Sequence, residues 1–367
     1  MGLMGWYRGQ RVSATVLCMC LLGFWPAWRA GGRPVLADSA KPLQIYFIDV
    51  EGGQSTLVVD PQGESLLVDA GWPDYNGRDA DRILSAARAA GIDHIDDVLI
   101  THYHLDHVGG VPQLAERIKI HAFVDHGPNV ETSLATREAY ADYEKVAAAN
   151  PRRTAKPGDT LPFQGMTVQV VTSAGEEIVA PLVGAGEPAA AGRPNPLCAA
   201  EAPAVPDPSE NEQSVGVLIT FGKFRFLDLG DLTRQKELGL VCPNNLIGTV
   251  DLFLVDHHGT AHPGTADTSN PRALVEALHA RVAVMNNGAH KGGHPTAWQT
   301  VHDSPGLEDL WQLHYAVEAR ADHNSSESFI ANLGERDDGN YIKATAQANG
   351  TFTVVNSGNN YQKTYKK

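Results

Sequence analysis

Residues 97–110 read DVLITHYHLDHVGG, and this stretch determines the fold that the sequence predicts. Its first five residues are mostly apolar or β-branched and predict a buried strand. His102, His104, Asp106 and His107 follow within six positions. At a strand end, residues 102 and 104 point the same way, and a turn after them can direct Asp106 and His107 to a second point nearby. Imidazole and carboxylate groups suit zinc, and manganese or iron less selectively, so the stretch predicts a two-metal site.

Strands and helices alternate on both sides of this stretch. Upstream, apolar and β-branched runs predict an antiparallel meander, and a helix is expected from about Arg78 to Ala90. Downstream, Pro112 suits the first turn of another helix, and helices are also expected near 232–241 and after Pro271. The predicted strands lie at 43–50, 55–60, 65–71, 97–101, 166–171, 215–221, 224–230, 251–255 and 281–286. Two strand clusters, each followed by helices, predict an α/β fold of two sheets packed face to face with helices outside.

Two segments and two cysteines fall outside this pattern. Residues 175–213 are rich in Pro, Ala and Gly and predict a long loop that lies over the site or extends into solvent. Residues 341–356 predict a hairpin, so 336–367 are expected to be a small C-terminal tail appended to a domain spanning 42–335. Cys198 and Cys242, the cysteines after residue 37, form either a disulfide or two buried free thiols.

The composition excludes some classes of function. With 367 residues and 43% hydrophobic side chains, the chain can bury a sizeable core, which argues against general disorder. Residues 1–37 contain four arginines and no acidic residue, so the rest of the chain carries 25 Lys and Arg against 43 Asp and Glu. An acidic surface repels phosphate backbones, which disfavours non-specific nucleic-acid binding as the main function.

The N-terminal segment has the features of a targeting signal. Residues 12–28 are apolar and follow Arg8 and Arg11, and a small-residue cleavage pattern ends at Ala37. These features predict a signal peptide at 1–37 and a secreted or periplasmic protein. The alternative is an anchor that is never cleaved.

The HxHxDH pattern at 102–107, in its setting of strands, resembles that of the metallo-β-lactamase superfamily. The resemblance implies a four-layer αββα sandwich with two divalent ions, Zn²⁺ before Mn²⁺ or Fe²⁺. It also implies that Asp69 supports the metal ligands from behind, although an aspartate there also suits a turn. His126 is then the third histidine at the first metal, or else a loop histidine. Asp231 is expected to bridge both metals, the alternative being a helix N-cap.

The last histidine ligand is implied at the end of LFLVDHHGT, residues 252–260. His257 is the expected ligand and His258 is its competitor, because only one of two neighbours faces the metals if the strand stays regular.

Longer segments narrow the resemblance. Residues 45–59, 211–232, 252–260 and 286–295 resemble the metallohydrolase domain of ComEC competence proteins and its stand-alone relatives, over about 43–300. The chain departs from the competence proteins in its acidic charge, in lacking their membrane-spanning part and in the GlyGlyGln at 52–54. These departures argue against a DNA substrate.

The same resemblance implies that His294, in NNGAHKGGHP, faces the site and there bonds an oxyanion or protonates a leaving group. A loop histidine without a role is the alternative. Asn286, Asn287 and Lys291 are candidates for binding an anionic substrate group, or else they only form a turn.

Together these expectations describe a secreted dinuclear metallohydrolase. Two ions bridged by Asp231 would hold a water and lower its pKa, producing a hydroxide nucleophile, with Asp106 or His294 managing protons. The first expectation is hydrolysis of a phosphodiester or phosphoester. The alternatives are hydrolysis of a lactone, a β-lactam or another ester, and a metal-binding scaffold without turnover.

Overall fold

Two sheets contain the eighteen strands of the part of the chain that the computed structural model describes, which comprises residues 41–182, 192–203, 205–262, 264–265, 268–334 and 338–367. The predicted signal peptide, residues 1–37, lies outside the described residues. The strands, numbered in chain order, are β1 Leu43–Phe47, β2 Thr56–Val59, β3 Ser65–Val68, β4 His94–Leu99, β5 Lys119–Asp125, β6 Arg152–Thr154, β7 Thr160–Leu161, β8 Thr167–Ser173, β9 Glu176–Glu177, β10 Gly216–Phe221, β11 Phe224–Asp228, β12 Leu252–Leu254, β13 Val282–Met285, β14 Asp309–His314, β15 Ile330–Asn332, β16 Ile342–Ala346, β17 Phe352–Asn356 and β18 Gln362–Tyr365. The α-helices are α1 Arg78–Ala90, α2 Leu105–Val108, α3 Val111–Ala115, α4 Leu134–Ala147, α5 Arg234–Val241, α6 Arg272–Leu278 and α7 Pro295–His302.

Both sheets combine antiparallel and parallel pairing. The first has the strand order β18-β17-β16-β1-β2-β3-β4-β5-β6. Its β1, β2 and β3 form the predicted antiparallel meander, and β3 to β6 run parallel. The second has the order β15-β14-β13-β12-β11-β10-β8-β7, with β9 paired to β8. Here β10 and β11 form a hairpin, and β11 to β15 run parallel.

The core lies between and outside the sheets. One apolar cluster joins residues of both sheets, and in it the rings of Phe47 and Phe226 meet edge to face at 5.6 Å. A second cluster packs the first sheet against helices that contribute Ile83 and Tyr143. A third packs the second sheet against helices that contribute Leu274. The order helix, sheet, sheet, helix confirms the predicted αββα sandwich.

Helix α1 confirms the expected bounds, and helix α4 was not predicted. In α1, Gly91 adopts the left-handed conformation (φ 83°) that ends many helices. In α4, Ala139, Tyr143 and Ala147 are buried at four-residue spacing, and the Ser133 hydroxyl caps the first turn. This helix covers the first sheet beside the strand end that carries the predicted metal ligands.

The C-terminal strands belong to the first sheet and are not an appendage. The predicted hairpin forms as β16 and β17, but β16 also pairs antiparallel with β1, and β18 extends the sheet beyond β17. Ile342, Phe352 and Val354 are buried in the cluster between the sheets. Residues 40–367 form one compact unit, so the tail is not separate from the main domain.

The predicted long loop at 175–213 packs partly against the second sheet's helices. Cys198 and Cys242 form a disulfide across a separation of 44 residues and so attach the loop to the end of α5. Further on, Glu210–Gln213 forms a short 3-10 turn whose first residue is buried. Within the described residues, no helix has the length and apolar character needed to cross a membrane.

Candidate metal centre

Four side chains from distant parts of the chain meet in one buried group, the His/Asp cluster of Asp106, His107, Asp231 and His258. One ligand atom from each lies within 4.8 Å of the others. His107 Nε2 lies 3.3 Å from His258 Nε2 and 3.2 Å from Asp231 Oδ2. Asp106 Oδ2 lies 3.3 Å from His258 Nε2. Imidazole nitrogens and carboxylate oxygens at this spacing suit a divalent transition metal.

Turns after β4 and β11 carry three of these side chains. The short helix α2 follows β4 and places Asp106 and His107 in one turn. After β11, Gly230 reverses the chain in the left-handed region (φ 64°), and Asp231 follows. A Cβ on Gly230 would lie 2.9 Å from the Cβ of Thr101. The close contact between these two turns, one from each sheet, therefore requires glycine.

The two adjacent histidines after β12 both reach Asp231. The chain does not stay a regular strand here, because His257 (φ 51°) and His258 (φ 55°) both adopt left-handed conformations in the turn Asp256–Gly259. His258 Nε2 lies 3.2 Å from Asp231 Oδ1, and His257 Nε2 lies 3.4 Å from Asp231 Oδ2. The structure thus places His258 in the cluster and His257 at its flank, whereas the sequence favoured His257.

His102 and His104 lie directly beside the cluster. The ring of the fully buried His102 is 4.1 Å from that of His107 and 4.7 Å from that of His104, centre to centre. His104 bonds Glu131 Oε1 through Nε2 at 2.9 Å. Because Glu131 occupies Nε2, Nδ1 is the nitrogen that His104 can offer to a metal.

Asp69 supports His107 from behind. Its Oδ2 accepts hydrogen bonds from His107 Nδ1 and the Thr101 hydroxyl, both at 2.7 Å, and its Oδ1 accepts from Thr101 N at 2.8 Å. The bond to Nδ1 fixes the tautomer of His107 in which the Nε2 lone pair faces the cluster. The structure therefore places Asp69 against His107, and its support of a bound metal stays a prediction.

The charges of the cluster balance one another. Burial acts to lower the pKa of His107, but Asp231 and Asp106 outweigh it and hold this pKa well above its usual range. Burial acts to raise the pKa of Asp231, but the neighbouring His107 and His258 hold it well below its usual range. At His102, burial and the nearby His107 hold the pKa well below its usual range. His102 is therefore a neutral imidazole, the form that binds metals.

Lys291 borders the cluster on its solvent side. Its Nζ lies 2.5 Å from Asp106 Oδ2 and 2.6 Å from Gly52 O, and 38% of its side chain is exposed. A Cβ on Gly52 would lie 2.8 Å from Gly288 N, so the turn at 52–53 and the loop that carries Lys291 are in direct contact. Lys291 thus places a positive charge where the cluster meets solvent.

The two predicted asparagines lie next to this loop. Asn287 Nδ2 donates to His314 O at 2.8 Å and to Gly288 O at 3.0 Å, so both hydrogen bonds of this amide group go to backbone carbonyls. Asn286 Nδ2 contacts Gly53 O at 3.5 Å, and its Oδ1 is buried without a hydrogen bond among the described residues. Of the three predicted substrate contacts, Lys291 is therefore the one that touches the cluster.

Unpaired buried atoms show that the site suits metal ions. His102 Nε2 is buried and makes no hydrogen bond within the described part of the chain, and Asp231 Oδ1 contacts His258 Nε2 without a hydrogen bond. Leaving such a group without a partner costs about 1–3 kcal/mol, which a bound cation would offset. The donors fit two ions: His102 and His104 would hold the first, Asp106, His107 and His258 would hold the second, and Asp231 could serve both.

Comparison with known proteins gives the family. The family model described as "Metallo-beta-lactamase superfamily" matches residues 48–233, which is half of the chain. The chain belongs to the metallo-β-lactamase superfamily. The chain is also 31% identical over 118 residues to a hydroxyacylglutathione hydrolase of Xylella fastidiosa (strain M23), covering 32% of this chain and 36% of that protein. It is 31% identical over 123 residues to the same enzyme of Pseudomonas savastanoi pv. phaseolicola, covering 32% and 39%. The matched segment therefore spans little more than a third of these relatives.

A solved structure of similar fold is the metallo-beta-lactamase fold protein YhfI from Bacillus subtilis. It shares 13% sequence identity with this chain and has a TM-score of 0.43. The match covers 74% of this chain and 95% of YhfI.

Two histidines are not brought to the cluster: His126, implied by the superfamily pattern, and His294, implied by the narrower resemblance. His126 directs Nε2 to Glu210 Oε2 at 2.9 Å, and its ring packs on Tyr103. His294 Nδ1 accepts a hydrogen bond from Ala261 N at 2.9 Å. The structure therefore places His126 with a carboxylate and His294 with backbone, so a ligand role for the first and a catalytic role for the second have no contact to support them.

Two glutamates beside the cluster were not predicted from the sequence. Glu131 bonds His104, and its Oε1 also accepts from Glu210 N at 3.0 Å. Buried Glu210 accepts from Tyr103 N and Val130 N as well as bonding His126. Both residues lie in aperiodic segments, where a glutamate is ordinarily solvated, so no local pattern identified them. They connect the end of the long loop to His104, beside the cluster, and to His126.

Proposed function

We propose that this chain is a dinuclear metal-dependent hydrolase of an anionic ester, with a phosphodiester or phosphoester as the first candidate substrate. The observation that carries the proposal is the position of Asp231. Its Oδ1 faces His258 at 3.2 Å and its Oδ2 faces His107 at 3.2 Å, within a buried set of imidazole and carboxylate groups. Both histidines are assigned to the second ion, and the charge of Asp231 also acts on His102, a ligand assigned to the first. A carboxylate placed between two ligand sets in this way is suited to give one oxygen to each of two cations. Zn²⁺ is the first candidate because the donors are imidazole and carboxylate, with Mn²⁺ or Fe²⁺ as alternatives.

When bound, the two ions would supply an activated water as the nucleophile and neutralise negative charge that develops on the substrate. The protein's own groups determine the rest. Asp69 keeps the proton of His107 on Nδ1, and Glu131 keeps that of His104 on Nε2. Both rings thereby turn a lone pair to the site. Burial acts to raise the pKa of Asp106, but Lys291 and His107 outweigh it and hold this pKa well below its usual range. Asp106 is therefore anionic.

The position of Lys291 favours an anionic substrate. Its ammonium lies at the solvent border of the cluster and neutralises Asp106. An ammonium placed there would attract a phosphate or carboxylate and orient it toward the reacting centre. The acidic charge of the whole chain favours a small substrate over a nucleic acid, which would be repelled away from the site.

A second candidate is hydrolysis of a thioester. It is favoured by the 31% identity with hydroxyacylglutathione hydrolases, which covers about a third of their length. A lactone, a β-lactam and other esters remain in the same reaction class, since each has an acyl carbon open to the same nucleophile.

We also propose that the protein acts outside the cytosol. The apolar segment behind Arg8 and Arg11 has the pattern of a signal peptide, and the Cys198–Cys242 disulfide is of the kind that persists in oxidising compartments. Cleavage can be measured by N-terminal sequencing of the exported protein. An uncleaved N-terminus would favour an anchor.

The test of function combines metal content with a substrate panel. Purified protein is assayed for bound metals and for turnover of bis-p-nitrophenyl phosphate, p-nitrophenyl phosphate, S-lactoylglutathione, a lactone and a cephalosporin. Asp231→Ala should lose orders of magnitude in rate, and Asp228→Asn, an equally buried aspartate on the same segment, is the matched control. Turnover of S-lactoylglutathione alone would select the second candidate. Two bound metals without any turnover would support a scaffold, and absence of metal would refute the proposal.

A further inference from the structure

A second group of metal-ligand side chains lies at the opposite end of β4. His94 and Asp96 are two residues apart in β4, so they share one face of the sheet. His121 in the neighbouring β5 lies opposite Asp96, because the parallel register pairs Ile95 with Ile120 and Asp97 with Ala122. The regular pairing of two strands thus brings two imidazoles and one carboxylate together.

The geometry of these three side chains is that of a ligand set. His94 Nε2 and His121 Nδ1 each lie 3.3 Å from Asp96 Oδ1. The two rings are 4.6 Å apart, centre to centre. One ligand atom from each residue falls within 4.8 Å of the others.

Neighbouring groups hold two of the three side chains in place. Asp93 Oδ1 lies 2.8 Å from His94 Nδ1, so it accepts the proton of that nitrogen and leaves the Nε2 lone pair directed to the group. Asp96 Oδ2 accepts from both the amide and the hydroxyl of Ser65, each at 2.9 Å, which leaves Oδ1 facing the histidines. A carboxylate behind a ligating histidine, and a ligating carboxylate held by hydrogen bonds, are the supports that protein metal sites use.

The group is separate from the His/Asp cluster. Asp106 and His107 of the cluster follow the C-terminal end of β4, whereas His94 is the first residue of β4. A strand of this length spans about 20 Å. His94, Asp96 and His121 are partly exposed, with 36%, 27% and 40% of the side chain accessible. A fourth ligand position is therefore open to water from solvent.

We propose that His94, Asp96 and His121 form a third metal site, which binds one Zn²⁺ ion or a similar borderline transition-metal dication. Two imidazoles and one carboxylate leave a tetrahedral ion with one open position. The ion would connect the N-terminal parts of β4 and β5 to the start of β3 through Asp96 and Ser65.

The test is Zn²⁺ stoichiometry and affinity, measured by equilibrium dialysis of the whole protein against micromolar ZnCl₂ with elemental analysis. Wild type should bind one Zn²⁺ ion more than His121→Ala. Asp93→Asn, which keeps all three ligands, should lower the affinity for that ion by about 10- to 100-fold. His302→Ala is the matched control, because His302 also contacts an adjacent aspartate but is not part of such a group. It should leave the stoichiometry unchanged.

The same measurement on Asp231→Ala separates this site from the proposed dinuclear centre. The ion at His94, Asp96 and His121 should remain when the centre loses its metals. Equal zinc stoichiometry and affinity in wild type, His121→Ala and Asp93→Asn would overturn the proposal, whatever the state of the centre.

Discussion

Replacing Asp69 by asparagine tests the metal centre without removing a ligand. In the native protein the carboxylate accepts hydrogen bonds from His107 Nδ1 and the Thr101 hydroxyl, both at 2.7 Å. An asparagine of the same size must turn its NH₂ group either to these two partners, which share Oδ2, or to Thr101 N, which donates to Oδ1 at 2.8 Å. If that group faces Nδ1, the His107 proton moves to Nε2, which is the nitrogen facing the cluster. A metal then binds only after the ring changes tautomer and gives up its support.

The expected loss is about 10- to 100-fold in metal affinity, the usual effect of removing such a support, which equals about 1.4–2.8 kcal/mol. The assay is competition with a chromophoric zinc chelator. Asp228→Asn is the control, because Asp228 is also fully buried but accepts its hydrogen bonds from Gln54 and Gly230 N. Unchanged affinity in Asp69→Asn would refute the reasoning, and an equal loss in both variants would assign the effect to charge instead of hydrogen bonding.

Three further predictions concern neighbouring groups. His258→Ala should lose metal more severely than His257→Ala, since His258 contacts both carboxylates of the cluster, and elemental analysis of the two variants would show the reverse order if this is wrong. Glu131→Gln should weaken metal binding at His104 by about tenfold, because an amide selects its tautomer less strongly than a carboxylate, and the same chelator competition measures this. Burial raises the pKa of Glu237 to about 7 from 4.5, so the folded state binds its proton more tightly than the unfolded state. Burial and Glu237 also raise the pKa of the neighbouring Asp256. Stability should therefore fall as pH rises from about 4.5 through 7, and urea unfolding of Glu237→Gln should show a smaller slope than wild type.

The sequence predicted the layers because their signals are local. Runs of β-branched residues between turn formers gave the strands, and the bounds of α1 follow from its apolar spacing and Gly91. The C-terminal tail was assigned wrongly as an appendage for the opposite reason. A hairpin pattern is local, but the pairing of β16 with β1 joins residues about 300 positions apart, and nothing in 336–367 indicates which edge it will meet.

The same contrast between local signals and contacts of distant residues applies to the candidate metal centre. His102, His104, Asp106 and His107 are dense enough in sequence to be recognised from the sequence alone, and the chain order implied by the superfamily resemblance led to Asp69 and Asp231. Glu131 and Glu210 could not be found, because their roles depend on where two aperiodic segments meet in space.

The choice between His257 and His258 depends on backbone conformation, which the letters HHG do not show. Two consecutive non-glycine residues in the left-handed region cost of order 1–3 kcal/mol each and persist only where the surroundings fix them. Here the following loop supplies that restraint: Gly293 N donates to His258 O at 2.9 Å, and His294 N donates to Gly259 O at 3.0 Å.

A glycine at 292 is also required, because a Cβ there would lie 2.2 Å from His258 O. The segment GGHP, residues 292–295, was predicted to supply an acid or an oxyanion donor through His294. It instead contributes to the site through its backbone, which holds the turn Asp256–Gly259 in place. The hydrogen bond from Ala261 N to His294 Nδ1 extends this restraint two residues beyond Gly259. The motif therefore stabilises the strained left-handed conformations of His257 and His258. These conformations bring two neighbouring imidazoles to the two oxygens of Asp231.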